Sequence, residues 1–321
     1  MSDSNSHDAF YDGYQHPDDA LRCVDIGTFL KMELPAREMI LAPVFPTQGL
    51  VMVYAPRGQG KTFFGLGLAH AVAGGGTFLR WQAPKPRGVV YVDGEMATPQ
   101  MQERGRLILN GAEFPLLDLH NFRMINGDMQ GDAQLDICAR EGQAMIEEHL
   151  HDADVLVLDN LACLMRSGGE NEGDSWLPVQ DWLLRLRRRR KSVLIVHHAG
   201  KGGQQRGTSR REDILDTVIA LRRPSDYEPN QGARFEVHLE KARGLYGEAA
   251  LPFEAQLLTA NDGVRWVVKP MDDVEREKVI ALTLQNLTIT EIAEETGMSK
   301  SKVGRLRKAA EAAGLLKKPE D

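Results

Sequence analysis

The sequence has few aromatic residues, few cysteines and no excess of basic charge. Aromatic residues make up 6% of the 321 residues, so the composition does not indicate a protein specialised for stacking on nucleic-acid bases. The formal net charge of −7 excludes a uniformly basic surface and restricts DNA binding to local basic patches. The three cysteines, Cys23, Cys138 and Cys163, are scattered without metal-site spacing, which is typical of reduced cytosolic thiols.

Long apolar runs are also missing. No run approaches the roughly 20 apolar residues that a membrane-spanning helix needs, and the first residues are polar and acidic, unlike a secretory signal. We therefore expect a cytoplasmic protein without a membrane partner. The remaining composition, 42% hydrophobic and 26% charged, is typical of a globular chain with one large and one small domain.

Three segments of the chain differ in pattern. Residues 1–20 are rich in Ser, Asp, His and Gly, which is typical of a disordered tail. Residues 21–270 alternate short apolar runs with helix-length segments, which predicts an α/β domain with a mostly parallel central sheet. From about Met271 the strand signals almost disappear, so we expect a small all-α domain over residues 271–321.

Nine strands are predicted in the large domain. The first five are short and apolar, as buried parallel strands are. The last four are expected to form an antiparallel extension, because the Asp262-Gly263 pair is a hairpin signal. The predicted strands cover residues 50–54, 88–93, 122–125, 155–159, 193–197, 218–221, 234–239, 251–254 and 264–268.

A phosphate-loop motif follows the first predicted strand. Backbone N–H groups of such a loop, together with the N-terminus of the next helix, can hold phosphates. Lys61 would reach the β- and γ-phosphates, and the Thr62 hydroxyl would ligate Mg²⁺. We therefore predict a site for ATP and Mg²⁺, although Ala55 replaces the first glycine of the motif; the alternative is a Gly-rich turn that binds nothing. The predicted ATP-binding residues are Ala55, Pro56, Arg57, Gly58, Gln59, Gly60, Lys61, Thr62 and Phe63.

Acidic residues end two of the predicted strands. Asp159 closes the apolar run 155–159 and would hold the Mg²⁺ through water, as in a Walker B strand. Glu95 follows the strand 88–93 and is the candidate general base that orients the attacking water. Strand-end carboxylates face the ligand crevice of an α/β sheet. The alternative is that Asp93 or Glu95 caps the following helix, and we assign capping or a supporting role to Asp93.

These motifs together resemble the RecA-like ATPases, and among them the RepA-type hexameric replicative helicases of plasmids. The resemblance covers roughly residues 34–254 and rests on residues 55–62, 91–95, 155–159 and 195–202. It implies a RecA-like P-loop NTPase fold, with Glu95 activating water. It also implies that a polar residue at the end of the strand 193–197, either His197 or His198, senses the γ-phosphate; alternatively, one histidine is buried and the other exposed.

Two basic segments have counterparts in such ring helicases. The Gly-rich stretch 201–211 resembles a central-channel loop, which would contact single-stranded DNA through Lys201, Arg206, Arg210 and Arg211. Lys241 and Arg243 resemble a finger that reaches the γ-phosphate of a neighbouring subunit. The alternatives are a flexible solvated loop and a surface basic pair. We interpret the basic run 187–191 as the end of a helix, where positive charges interact favourably with the negative end of the helix dipole.

Residues 288–308 resemble a helix-turn-helix. Ala293 allows close helix approach, Gly297 allows a left-handed turn, and Val303 and Leu306 would bury against the first helix. Ser299 is a natural N-cap of the second helix. The residues expected to face DNA are Lys300, Ser301, Lys302 and Arg305. The alternative is a module that docks on another protein.

These inferences converge on an ATP-driven DNA helicase or translocase of plasmid, phage or mobile-element replication. It would form a homo-oligomeric ring, with a hexamer favoured, around single-stranded DNA, and the C-terminal module could add a duplex contact. A DNA-binding regulator controlled by ATP and a recombinase-like filament ATPase are the alternatives.

Overall fold

The computed structural model describes residue 21 and residues 23–167, 173–200, 211–260 and 263–316. The predicted tail 1–20 and the turn residues Asn261 and Asp262 lie outside the described residues. The described part before Arg37 forms one unit, which contains helix α1 (Ile26–Lys31). The N-cap of α1 is Asp25, whose carboxylate accepts a 3.0 Å hydrogen bond from the Thr28 N–H.

The second unit begins at Arg37 and contains every other element. Its strands are β1 (Met39–Leu41), β2 (Phe45–Pro46), β3 (Leu50–Ala55), β4 (Thr77–Phe78), β5 (Trp81–Gln82), β6 (Val89–Asp93), β7 (Phe122–Asn126), β8 (Val155–Asp159), β9 (Ser192–His198), β10 (Thr217–Arg222), β11 (Arg234–Ala242), β12 (Phe253–Ala260) and β13 (Gly263–Pro270). Its α-helices are α2 (Lys61–Gly74), α3 (Thr98–Gly111), α4 (Arg140–Glu147), α5 (Leu161–Leu164), α6 (Gly173–Arg188), α7 (Met271–Leu284), α8 (Ile289–Thr296) and α9 (Lys300–Ala312). Short 3₁₀ turns cover Leu119–Asn121, Gly127–Met129, Pro229–Gln231 and Gly247–Ala250.

One large sheet organises this unit. Its strand order is β13-β12-β11-β10-β3-β9-β8-β6-β7. The strands from β10 to β7 in this order run parallel, whereas β11, β12 and β13 extend the sheet antiparallel. This confirms the predicted α/β class and the mostly parallel sheet. The antiparallel extension is confirmed for β11, β12 and β13, whereas β10, the first of the four strands predicted for it, runs parallel to β3. The eighth predicted strand was placed too early, because β12 begins at Phe253 and continues to Ala260.

Alternating side chains of the central strand β3 separate two apolar layers. Val51, Val53 and Ala55 face the layer that contains α2, and Leu50, Met52 and Tyr54 face the layer with α6. Every residue of β3 is buried, as the period of two requires for a strand covered on both faces. Burying each such large apolar side chain contributes about 1.5–3 kcal/mol to the free energy of folding. The sheet is therefore a stable support for the loops at its edge.

The register of the parallel strands brings several predicted site residues to one sheet edge. Ala55 at the end of β3 lies opposite His198 of β9, and Asp93 of β6 lies opposite Asp159 of β8. The carboxyl ends of parallel strands form the ligand crevice of an α/β fold. The loop between β3 and α2 therefore starts at the same edge as both acidic strand ends.

Three helices follow the sheet at the C-terminal end of the chain. Val279, Ile292, Ala293 and Val303 form a small apolar core, with Leu306 packed against it. The Thr288 hydroxyl and the Glu291 carboxylate cap α8 reciprocally. Gly297 has φ +71° just after α8, and the Ser299 hydroxyl accepts a 3.2 Å hydrogen bond from Lys302 N–H at the start of α9.

Ion pairs join α7 to β13 and to the connection between β10 and β11. Lys269 of β13 contacts Glu277 at 2.7 Å, and Lys278 of α7 contacts Asp226 at 3.1 Å. A domain boundary at residue 270 stays a prediction. Among the helices of the described ranges, none has the length and apolar character to cross a membrane.

Candidate nucleotide-binding and catalytic site

The loop between β3 and α2 requires glycine at two positions. Gly58 and Gly60 have φ values of +72° and +87°, in the left-handed region that other residues avoid. A Cβ atom on Gly60 would also lie 2.6 Å from the Cβ of Ala233. Ala55, which replaces the first motif glycine, is the last residue of β3 and does not have a positive φ. An extended residue needs no glycine there, so this departure from the motif leaves the loop geometry intact.

Lys61 is the first residue of α2 and is almost fully buried. Its Nζ donates hydrogen bonds to the carbonyl oxygens of Ala55, at 3.1 Å, and Pro56, at 2.9 Å. Burial lowers the pKa of Lys61 to about 8, and the carboxylates of Asp159 and Glu95 oppose that shift. The ammonium group is therefore held inside the loop that it would share with phosphates.

Asp159 lies in a polar cluster beneath the loop. The Tyr91 hydroxyl donates a 2.6 Å hydrogen bond to Asp159 Oδ2, and the Thr62 hydroxyl also bonds the same carboxylate. Burial raises the pKa of Asp159, and the bonds from Tyr91 and Thr62 counteract this rise. Tyr91 lies in the stretch 91–95, but its sequence position does not indicate this contact, because a tyrosine within an apolar strand is typical of a core residue.

Asp93 supports the loop that follows β6. Its Oδ2 accepts hydrogen bonds from the Met96 N–H, at 3.0 Å, and from Asn126 Nδ2, at 2.7 Å. Burial raises its pKa to about 6. These contacts agree with the supporting role expected for Asp93, since they tie the Glu95 loop to the neighbouring strand β7.

Glu95 lies at the mouth of the crevice, with its side chain 54% exposed. Asn160 Nδ2 donates a hydrogen bond to Glu95 Oε2, and His198 Nε2 lies 3.7 Å from the same oxygen. A carboxylate that is both exposed and oriented can accept a proton from water, as a general base must. Asn160 was not singled out from the sequence, where it reads as an ordinary helix cap.

The two histidines of β9 have different surroundings. His197 is fully buried, and the Arg211 guanidinium donates to its Nε2 at 3.1 Å. Since a guanidinium only donates, this contact requires an unprotonated Nε2 on His197. His198 Nε2 instead lies near Glu95, and of the two histidines it is His198 that lines the crevice.

The structure corrects the expected position of Arg211. Its side chain is 1% exposed, and its Cζ lies 5.6 Å from the ring centroid of Trp176. A guanidinium buried against a histidine and an indole is not available to a DNA backbone. The other predicted channel-loop cations, Lys201, Arg206 and Arg210, lie outside the described residues.

The crevice has a volume of about 510 Å³ and extends beyond the phosphate loop. The Arg104 guanidinium lies 5.0 Å from the Phe63 ring centroid at one wall, and Gly232 and Ala233 form another wall. The sequence does not indicate these residues, because they carry no motif and reach the loop from distant elements.

Gln59 is buried, and neither its Oε1 nor its Nε2 has a partner among the described residues. A buried amide of this kind needs an acceptor for its Nε2 and a donor for its Oε1. A ligand could supply both, or a ligand oxygen could accept from Nε2 while a water molecule donates to Oε1.

The donor set also fits Mg²⁺. A Thr62 hydroxyl beside the Asp159 carboxylate offers hard oxygen ligands, which Mg²⁺ prefers. Within the described ranges, no group of three or more His, Cys, Asp or Glu side chains could hold a metal ion. Mg²⁺ usually keeps several waters and takes further ligands from substrate phosphates.

Lys241 and Arg243 lie at the opposite edge of the sheet. Ala242 pairs with Thr217, which in turn pairs with Val51 near the start of β3, whereas the phosphate loop leaves the other end of that strand. Lys241 Nζ donates to the Glu212 carbonyl, and Arg243 Nη2 donates to the Asp213 carbonyl at 3.1 Å. Neither cation can serve the phosphate loop of its own chain.

The residues of α9 that are predicted to face DNA separate into two groups. Lys300, Ser301 and Arg305 are exposed, as a contact with phosphates requires. Lys302 instead lies 2.5 Å from Glu275 of α7, so its side chain turns toward the neighbouring helix and away from the predicted DNA face. This corrects its predicted role, because its charge is already compensated within the helical segment.

The basic run 187–191 also has internal partners. Arg187 lies 3.7 Å from the buried Asp216, and Arg189 contacts Glu147. Arg187 and Arg188 of this run, together with Arg185 just before it, fall in the last turn of α6. These positions agree with the helix-dipole interpretation of this run.

Comparison with known proteins gives a family match and a distant structural likeness. The family described as AAA domain matches residues 16–204, which include the phosphate loop, Glu95, Asp159 and both histidines. The fold is similar to that of a KaiC-like protein from the hyperthermophilic archaeon Pyrococcus horikoshii, with 16% sequence identity and a TM-score of 0.49. That match covers 72% of this chain and 94% of the archaeal one. No curated protein matched the sequence.

Proposed function

The chain belongs to the AAA domain family of P-loop ATPases, and we propose that it is a ring-forming DNA helicase or translocase driven by ATP hydrolysis. The observation that carries the proposal is the set of Lys61, Thr62, Glu95 and Asp159 at one sheet edge. Their functional groups are those that phosphoryl transfer to water needs: a phosphate-binding cation, an Mg²⁺ site and a base.

Lys61 and the backbone N–H groups of the loop would bind the β- and γ-phosphates at the N-terminus of α2. Thr62 and Asp159 would hold Mg²⁺, which supplies charge neutralisation on the transferring phosphoryl group when bound. Tyr91 keeps the Asp159 carboxylate in place from below. His198 lies beside Glu95, where it can register whether a γ-phosphate is present.

Glu95 is the proposed general base. It follows β6, at the same sheet edge as the loop, and its exposed carboxylate can accept a hydrogen bond from water. The water would then attack the γ-phosphate in line with the leaving oxygen. A Glu95→Gln protein that binds nucleotide normally and hydrolyses it at less than about one hundredth of the natural rate would support this role.

A ring is supported by the position of Lys241 and Arg243. Because both lie at the sheet edge away from their own phosphate loop, an action on ATP requires a neighbouring copy of the chain. A head-to-tail arrangement of subunits, which closes into a ring, brings the finger of one copy to the site of the next. A hexamer is the ring size that the RepA resemblance favours.

Two basic regions support DNA as the partner. The stretch 201–211 contains Lys201, Arg206 and Arg210 and joins directly to the sensing strand β9, so it can couple the nucleotide state to a grip on single-stranded DNA. The exposed face of α9, with Ser301, Arg305 and Lys308 at helical spacing, suits a contact with duplex phosphates.

The second candidate function is a DNA-binding regulator controlled by ATP, and the exposed face of α9 favours it. In that case ATP would govern assembly, and α9 would bind duplex DNA without strand separation. A recombinase-like filament is the third assembly that the same ATPase core could form.

One experiment separates these functions. ATP hydrolysis is measured with and without single-stranded DNA, on particles whose size is determined, and strand displacement is assayed in parallel. A helicase gives DNA-stimulated hydrolysis and displacement from ring-sized particles. Binding of duplex DNA without displacement identifies the regulator, and particles of open-ended length identify the filament. A Lys61→Ala protein that still hydrolysed ATP would contradict the ATPase assignment.

A further inference from the structure

Asn160 is the buried residue that immediately follows Asp159 at the end of β8, and it is 1% exposed. Its Oδ1 accepts a 3.1 Å hydrogen bond from the Cys163 N–H, which caps the short helix α5. That bond determines which end of the amide faces the crevice, because the oxygen is already engaged on the helix side. The Nδ2 group must then point toward Glu95.

The Nδ2 group donates to Glu95 Oε2. Glu95 follows β6 on a loop and is half exposed, and an exposed glutamate side chain loses rotamer freedom when it is ordered. A donor held on the buried end of a neighbouring strand reduces that freedom before the substrate arrives. His198 Nε2, 3.7 Å from the same oxygen, borders the carboxylate on the β9 side.

We propose that Asn160 is the positioning residue that aims Glu95 at the attacking water, in addition to capping α5. The inference rests on the proposed ATPase function, in which Glu95 is the base. The amide does not touch the substrate. It acts by holding one carboxylate oxygen, which leaves the other oxygen to accept the proton of a water molecule. Because Asn160 is adjacent in sequence to Asp159, the Mg²⁺ ligand and the holder of the base are placed by the same strand end.

Two substitutions separate this role from simple helix capping. Asn160→Ser and Asn160→Asp both preserve an oxygen that can cap α5, since Ser and Asp are good N-cap residues. Neither preserves the donor to Glu95: serine is too short, and aspartate presents a second carboxylate. We expect both proteins to bind a fluorescent ATP analogue within about twofold of the natural affinity, and to hydrolyse ATP with a kcat at least about tenfold lower.

The turnover at saturating ATP decides between the two roles of Asn160. A serine protein with natural kcat would show that Asn160 is only a cap, and would overturn the proposal.

A pair of substitutions that exchanges the donor and the acceptor tests the Asn160–Glu95 hydrogen bond without a measurement of ATP hydrolysis. Asn160→Asp should lower the urea midpoint of unfolding. Adding Glu95→Gln to that protein should raise the midpoint again, because the introduced amide can then donate to the introduced carboxylate. In the natural background Glu95→Gln should not raise the midpoint. Additive midpoints would overturn the contact itself. If the natural chain failed to hydrolyse ATP, the proposed function would fall, while this pair of substitutions would still decide whether Asn160 holds the Glu95 side chain.

Discussion

The Tyr91 hydroxyl donates a 2.6 Å hydrogen bond to Asp159 Oδ2, and both side chains, from the neighbouring strands β6 and β8, are buried. Burial raises the pKa of Tyr91, so its hydroxyl keeps the proton that it donates. The carboxylate that is proposed to ligate Mg²⁺ is thus held by the neighbouring strand β6, while the Thr62 hydroxyl reaches it from the start of α2. This arrangement gives a buried charge the hydrogen-bond donors that it requires.

The first prediction concerns Tyr91→Phe. The loss of a donor to a buried carboxylate should lower the free energy of unfolding by about 1–3 kcal/mol, measured by urea denaturation. The affinity for Mg²⁺ in the presence of nucleotide should also fall, because Asp159 becomes less well oriented. Tyr246→Phe is the matched control, since Tyr246 is 85% exposed and the loss of its hydroxyl should leave both quantities unchanged.

The second prediction follows from the pKa of about 8 for Lys61. Bound phosphates favour the charged ammonium, so the pKa of Lys61 rises in the complex. Below pH 8 the lysine is charged in both states and the affinity is complete. Above pH 8 the free protein must take up a proton on binding, so the affinity for a fluorescent ATP analogue should fall with rising pH, by up to about tenfold per unit.

The control for this titration is Lys61→Arg. Arginine stays charged over the whole range, so its pH dependence between pH 7 and 9.5 should be flat, whatever its absolute affinity. A natural protein whose affinity stayed constant up to pH 9.5 would show that Lys61 is not titrating in the free site.

The strands and the phosphate loop were predictable because they depend on local pattern. Residues 155–159 read as a buried strand ending in an acid, and β8 has those bounds. The neighbours that complete the site come from distant positions instead. Ala233 reaches Gly60 from the turn before β11, and Arg104 reaches Phe63 from α3. No spacing rule in the sequence encodes those approaches, since they depend on the order in which strands are laid side by side.

Arg211 also depends on contacts with distant residues, but in its case they bury a side chain that the sequence predicts to be exposed. By composition it belongs to a basic, Gly-rich stretch, and composition predicts exposure. Its burial depends on Trp176 of α6 and on His197 of β9, which are remote in sequence from one another. Charge patterning therefore identifies a basic segment but cannot separate an internal arginine from those available to a ligand.

The third prediction distinguishes the two histidines. His198→Ala should reduce kcat for ATP by about tenfold with little change in stability, because His198 lies beside Glu95. His197→Ala should lower the free energy of unfolding by about 1–3 kcal/mol, because it removes a buried contact of Arg211. Both proteins are compared in ATP turnover and urea denaturation; a reversed assignment of the two effects would contradict the sensing role of His198.

The fourth prediction tests whether Arg243 acts on a neighbour. Arg243→Ala and Glu95→Gln proteins should each be inactive alone. When they are mixed, a Glu95→Gln subunit still offers its arginine to the intact base of an Arg243→Ala neighbour. At equal amounts, a randomly assembled ring should regain about a quarter of the natural rate if its sites act independently. Mixing Arg243→Ala with Lys241→Ala, which removes two groups of the same finger, is the control with a smaller recovery. No recovery in the first mixture would contradict a finger in trans.

The fifth prediction concerns the exposed face of α9. Arg305→Ala should weaken binding to a short DNA duplex, and the slope of log affinity against log salt should become shallower by about one, because one phosphate contact is lost. Lys302→Ala is the matched control on the same helix. Its ammonium is paired with Glu275, so the salt slope should stay unchanged, and the free energy of unfolding should fall by no more than about 1 kcal/mol. Equal effects of the two substitutions on the salt slope would mean that α9 does not present the predicted face to DNA, and would favour a protein-docking role for the C-terminal helices.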